Sequence, residues 1–200
     1  MDYIGKFIQL FQAVLSNDDT IREEASKEIL NIQENNTLQL IHACIQIIML
    51  DSVPQSSQLY SFVILCNIFR PTYDTSEKYQ TLTDEMKYDL RSAFLRGLLF
   101  EQPEIYNQAA YLVSLIIVID NDLSTVLEIL DFLRDLLING EHQESAHYAA
   151  ITALQEIYSS EHVINIYNKF DPSDPTFVNV LIQQKNDFIE FMKNGCNYLT

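Results

Sequence analysis

An apolar stripe at helical spacing, a short polar break, and a second such stripe recur along this chain about four times, with the start of a fifth. A single helix pair cannot bury its own stripe. Stacked pairs can, because each covers the face left open by its neighbour, and the product is a solenoid. The predicted fold is therefore all-α: an α-solenoid of antiparallel helix pairs, four to five repeats, running as one array over residues 1–200. Glycine and proline agree with this. Only four Gly and five Pro occur, too few for the tight turns of a β-sandwich or barrel.

The first pair is predicted at about 3–15 and 20–33. Phe7, Leu10, Phe11, Val14 and Leu15 form one stripe, and Ile21, Ala25, Glu28, Ile29 and Ile32 share a side of the next helix. Ser16-Asn17-Asp18-Asp19 breaks them, and Thr20 with Glu23 reads as a capping box. The second pair is predicted at 38–51 and 55–70. Pro54 fits the first turn of its second helix, and Leu59, Phe62, Val63, Cys66 and Phe69 form the inner stripe. Arg70 precedes Pro71, which ends that helix. The polar stretch 72–83 reads as a loop with one helical turn and no core residues.

The third pair is predicted at 84–100 and 103–119, with Leu90, Phe94, Leu95 and Leu98 packing one way and Pro103 at a helix start. Its second helix is nearly all apolar and should be the most buried element. The fourth pair is predicted at 124–138 and 143–158. Asn139-Gly140 is a C-cap signal between them, and Ala146, Ala149, Ala150 and Ala153 permit close helix approach. A short apolar piece follows at 163–170. A last helix runs from Asp174-Pro175 to about 194 with no partner after it. It either caps the array or opens a longer one.

Acidic residues number 28 against 12 basic, a formal charge of -16. That disfavours nucleic acid, which needs clustered Lys and Arg. It either draws basic partners or simply keeps the chain in solution. Cys44 and Cys66 lie in apolar helical stretches and read as small core residues of a reducing compartment; with Cys196 the count is odd, so no disulfide framework is expected. The N-terminal stretch has no secretion-signal pattern. The longest apolar run, 109–119, is interrupted by Ser114 and is about half a membrane span. A soluble, intracellular protein is expected.

Catalytic and cofactor signals are missing. Four scattered glycines make no phosphate loop, and no nucleophile elbow surrounds a serine. His142 and His147, five apart, fall on different sides of a helix and have no nearby Cys, so no metal site is expected. Eleven Tyr and eleven Phe lack basic neighbours for base stacking. Phe7, Phe62, Phe94 and Phe132 fall on core stripes instead. No enzyme activity and no cofactor are expected.

Within the first two pairs, specific residues carry a resemblance. Leu10-Phe11-Gln12-Ala13-Val14-Leu15 is followed by Ser16-Asn17-Asp18, then by Arg22-Glu23-Glu24-Ala25-Ser26-Lys27-Glu28-Ile29-Leu30. Asn35-Asn36-Thr37 then opens an apolar helix, and Asn67 stands near the end of the next. This resembles the N-terminal region of the importin-β (karyopherin-β) family of HEAT-repeat, armadillo-like transport receptors. The motif match covers about residues 1–70, and residues 71–200 read as further HEAT repeats. Two departures stand out: Cys66 replaces the usual Lys before Asn67, and Ser57-Gln58-Leu59-Tyr60-Ser61 replaces a frequent Arg-x-x-Ala.

The resemblance implies binding of the GTP form of the small GTPase Ran, through second helices facing an inner surface, in protein import into the nucleus. On this sequence the implied contact residues are Glu23, Lys27 and Asn67, with exposed parts of the third and fourth second helices. It also implies basic cargo or adaptor proteins and nucleoporins as partners, and a location in cytoplasm and nucleus. The residues alone leave a second reading open: a HEAT-type scaffold subunit of a phosphatase, vesicle coat or chaperone assembly.

Overall fold

The computed structural model describes residues 3–70, 75–120, 122–139, 143–157, 179 and 186. Among the described residues nine helices are bounded and no strand occurs. In chain order they are α1 (Tyr3–Val14), α2 (Asp19–Asn35), α3 (Thr37–Met49), α4 (Gln55–Ile68), α5 (Thr75–Gln80), α6 (Asp84–Gly97), α7 (Pro103–Ile119), α8 (Leu123–Ile138) and α9 (Glu144–Ile157). Eight of them match the expected pairs closely. The fifth-repeat helices, Gly140, His142 and Cys196 lie outside the described residues, although Asn179 and Asn186 are helical. The chain divides into two compact units, Met1–Arg96 and Gly97–Thr200.

In the first unit, α1 packs on α2, α3 and α4, while α3 packs on α2 and α4. An aromatic file explains much of this. Tyr3, Phe7 and Phe11 recur every four residues along α1 and meet edge to face, with centroids 5.1 and 6.0 Å apart. Phe11 then meets Tyr60 of α4 at 5.3 Å. The Tyr3 hydroxyl donates to the Gln39 carbonyl at 2.9 Å, tying α1 to α3.

Several local expectations change. Asp18, not Thr20, caps α2: its Oδ1 accepts from the backbone N–H of Thr20 and Ile21 at 2.9 and 3.3 Å. A carboxylate two residues earlier captures the open N–H groups first, and Thr20 becomes part of the helix. Leu15 and Ile21 flank the α1–α2 turn and stay about half exposed (49% and 46%). Pro54 stands just before α4, at the cap position.

The buried face of α4 is rotated from the expected stripe. Ser57, Gln58, Ser61, Phe62, Ile64, Leu65 and Ile68 are buried, whereas Leu59, Val63 and Cys66 are only partly covered. Polar residues go inside because the neighbouring backbone satisfies them. Gln58 Nε2 donates to the carbonyls of Ile48 and Leu50 at 3.3 and 2.9 Å, closing the C-terminus of α3. Ser61 Oγ donates to the Ser57 carbonyl at 2.9 Å.

The polar stretch after α4 also contributes to the core. It forms α5, and Tyr79 and Leu82 are buried. The Tyr79 ring meets Phe69 edge to face at 6.4 Å, and Lys87 Nζ lies 5.3 Å from its centroid.

In the second unit, α7, α8 and α9 pack on one another. Helix α7 buries ten of its residues, as its composition predicts. Ala109 and Ala110 of α7 and Ala146, Ala149, Ala150 and Ala153 of α9 are all buried, so small side chains permit close approach of the two backbones. Asp122 caps α8, accepting from Ser124 N, Ser124 Oγ and Thr125 Oγ1 at 3.1, 2.6 and 3.2 Å. Phe132, expected in the core, is partly exposed.

Candidate partner-binding surface

Of the second helices, α2 and α9 carry exposed side chains along one face, α4 leaves a partly covered side, and α7 is exposed only in its first turns. On α2 that face carries Glu23, Glu24, Lys27, Glu28 and Asn31, all exposed. Glu23 and Lys27 are one turn apart with the acid nearer the N-terminus, the favourable order for such a pair. Arg22 is already committed. It pairs with Asp19, and its Nη1 donates to the Ser16 carbonyl at 3.2 Å. Asn67 is exposed as well, but it belongs to the last turn of another helix, α4. Of the three residues implied by the resemblance, two share one face and the third stands apart.

The partly open side of α4 is formed by Leu59, Tyr60, Val63 and Cys66. Burial pushes the Cys66 thiol up to about 12. Cys44 is wholly buried, and its thiol is raised still further by loss of water. Neither is a nucleophile near neutral pH.

On α9, Tyr148 is 53% exposed, and its hydroxyl donates to Glu144 Oε1 at 3.1 Å. The phenol is raised above its ordinary value, first by that hydrogen bond and the Glu144 charge; Tyr106 of α7 adds to the rise from nearby. The α9 pair was not singled out from the sequence, although Glu144 and Tyr148 show the i, i+4 spacing that would reveal it.

No group of three or more His, Cys, Asp or Glu among the described residues could hold a metal ion. No helix among them is long and apolar enough to cross a membrane. These faces offer charge, amide and aromatic contacts to a macromolecule.

No family model matches this chain, and no curated protein matches it. Solved structures do. Yeast importin-β (Kap95p) superposes with a TM-score of 0.66 at 20% identity, over 99% of this chain and 26% of its own. A structure of Kap95p with RanGDP gives 0.67 at 20% identity, over 96% and 25%. A Kap95:Nup1 complex gives 0.60 at 18% identity, over 92% and 26%. This chain thus spans about a quarter of the length of the importin-β structures it matches, and those structures are of a transport receptor, not an enzyme. With nine helices bounded, no strand among the described residues, and superposition along nearly its whole length, the chain has the HEAT-repeat fold of importin-β.

Proposed function

We propose that this chain is an importin-β-type nuclear transport receptor, or the N-terminal region of one, which binds Ran-GTP and takes part in protein import into the nucleus. The observation that carries the reading is the superposition on Kap95p over 96% of the chain. The Arg22 to Leu30 and Asn35 to Thr37 motifs of the first two pairs support it from the sequence side. Ran and Nup1 are the partners of Kap95p in two of the matched structures. By likeness, a Ran-type GTPase and nucleoporins become partners of this chain, which then works in cytoplasm and nucleus. The charge of -16 favours basic cargo or adaptor proteins.

In this reading residues 1–200 act as one array, and Glu23, Lys27 and Asn67 contribute to the GTPase-binding face. Lys27 and Asn67 supply donors and Glu23 an acceptor. All three are exposed, so they meet a partner without rearrangement of the core. The test is a pull-down with Ran loaded with a non-hydrolysable GTP analogue or with GDP. Preference for the GTP form is expected, and Lys27→Glu and Asn67→Ala should weaken it. No binding, or equal binding to both forms, overturns the Ran assignment.

A further inference from the structure

The step Asn139-Gly140, which the sequence marks as a helix stop, carries chemistry that partner binding does not use. Helix α8 ends at Ile138, and Asn139 follows it in extended backbone, with φ −85° and ψ 107°. Its side chain is partly exposed, and its own N–H still donates to the Asp135 carbonyl at 3.0 Å. The residue after it is glycine, which brings no Cβ to crowd its backbone nitrogen. That nitrogen can close a succinimide ring on the asparagine amide carbon. Asn194-Gly195 is the chain's other such step, and it lies outside the described residues.

Other asparagines are better protected. Asn31, Asn67 and Asn107 lie inside α2, α4 and α7, where the next N–H is held in the helical ladder. Asn35 precedes Asn36, whose N–H donates to the Ile32 carbonyl at 2.7 Å. Asn17 precedes Asp18, whose N–H donates to Ser16 Oγ at 3.1 Å. Asn36 precedes Thr37, a β-branched residue that crowds the attack.

We propose that Asn139 is a site of spontaneous deamidation, which turns its amide into a carboxylate at the end of α8. The Gly140 nitrogen attacks Cγ of Asn139 and forms the new C–N bond. The bond from Cγ to Nδ2 breaks, and Nδ2 leaves as ammonia with the proton that the attacking nitrogen gives up. Water then opens the ring at one of its two carbonyls, leaving an aspartate or an isoaspartate. The new charge falls at the negative end of the α8 dipole, where Asp135 already stands one turn back. Helix α8 packs on α7 and α9, so a weakened end loosens the fourth pair. The modification needs no partner and does not rest on the transport reading.

The test is incubation of the folded full chain at mildly alkaline pH, with peptide mass spectrometry at intervals. Asn139 should convert severalfold faster than Asn17 or Asn36, as a mixture of aspartate and isoaspartate. Gly140→Ala should slow this severalfold, because a Cβ then crowds the attacking nitrogen. Asn139→Asp should melt below the parent. An intact Asn139 amide after Asn194 has converted overturns the site. Conversion no faster than at Asn36, or conversion in urea alone, overturns it as well. An Asn139→Asp chain that melts at or above the parent overturns the consequence for α8. The parent chain by itself decides whether the site reacts, so that result does not depend on how either variant folds.

Discussion

Arg96 and Gln58 converge on one carbonyl. Arg96 Nε donates to the Ile48 oxygen at 3.2 Å, and Gln58 Nε2 donates to the same oxygen at 3.3 Å. The last carbonyls of α3 have no partners within their own helix. Here a side chain from α4 and another from α6 supply them, and the Arg96 charge also suits the negative end of the α3 dipole. Arg96 pairs with Asp51 too, but Asp51 is almost fully in water.

This geometry separates the contributions. Gln58→Ala and Arg96→Ala should each cost about 0.5–1.5 kcal/mol, because the Ile48 oxygen keeps its other donor in either variant. Asp51→Asn should cost under about 0.5 kcal/mol, as for most exposed pairs. The double variant Gln58→Ala with Arg96→Ala should depart from additivity, since both act on Ile48. Urea unfolding of the four variants measures this. A large loss from Asp51→Asn would show that the ion pair dominates.

Thiol chemistry should rank the cysteines. At pH 8 a thiol with a value of about 12 is thiolate about one time in ten thousand. Cys66 should therefore alkylate slowly with iodoacetamide, and Cys44 should stay unmodified until the chain unfolds. Peptide mass spectrometry after timed labelling reads both sites. Rapid labelling of Cys44 in the native chain would contradict its burial.

Asp122 ties α8 to pH. Its carboxyl is held below the ordinary range, first by the Ser124 hydroxyl, then by the Ser124 and Thr125 donors. A depressed folded value means stability that is present above the unfolded value near 4 and is lost as pH falls through the folded value. Asp122→Ala should cost about 0.5–2 kcal/mol at pH 7, the range for a lost N-cap. That difference should shrink below about pH 4. Asp122→Asn should keep most of the cap and lose its pH dependence. Thermal melts from pH 7 to pH 3 test all three forms.

The helix pattern was legible because most apolar residues follow it. Helices α3 and α7 are rich in Ile and Leu, Pro103 marks the start of α7, and the alanines of α9 announce close packing. The reading failed where polar residues are buried with partners on other helices. Gln58 resembles a solvent residue until α3 is placed beside it, and only then does its amide find the open carbonyls of Ile48 and Leu50. Tyr79 sits in a polar stretch, and Phe69 and Lys87 enclose it only after the chain turns back. Of the candidate surface, exposure of Glu23 and Lys27 followed from helical spacing. The hydrogen bond from Tyr148 to Glu144 required both side chains to be placed on α9.

Ser57 and Ser61 offer a final comparison on one helix face. Both are fully buried. Ser61 Oγ donates to the Ser57 carbonyl, while Ser57 Oγ has no hydrogen-bond partner among the described residues. A buried hydroxyl without a partner costs about 1–3 kcal/mol in lost hydration. Replacing it with a methyl hydrogen-bonds nothing and leaves nothing unsatisfied. Alanine also has the higher helix propensity, since serine competes for the backbone. Ser57→Ala should therefore stabilise the chain by about 0.5–2 kcal/mol and raise Tm. Ser61→Ala, which removes a satisfied hydroxyl, should be neutral or lose up to about 1 kcal/mol. Calorimetry on the two variants decides it. If Ser57→Ala lowers Tm, its hydroxyl has a bonding role that the helix packing does not reveal.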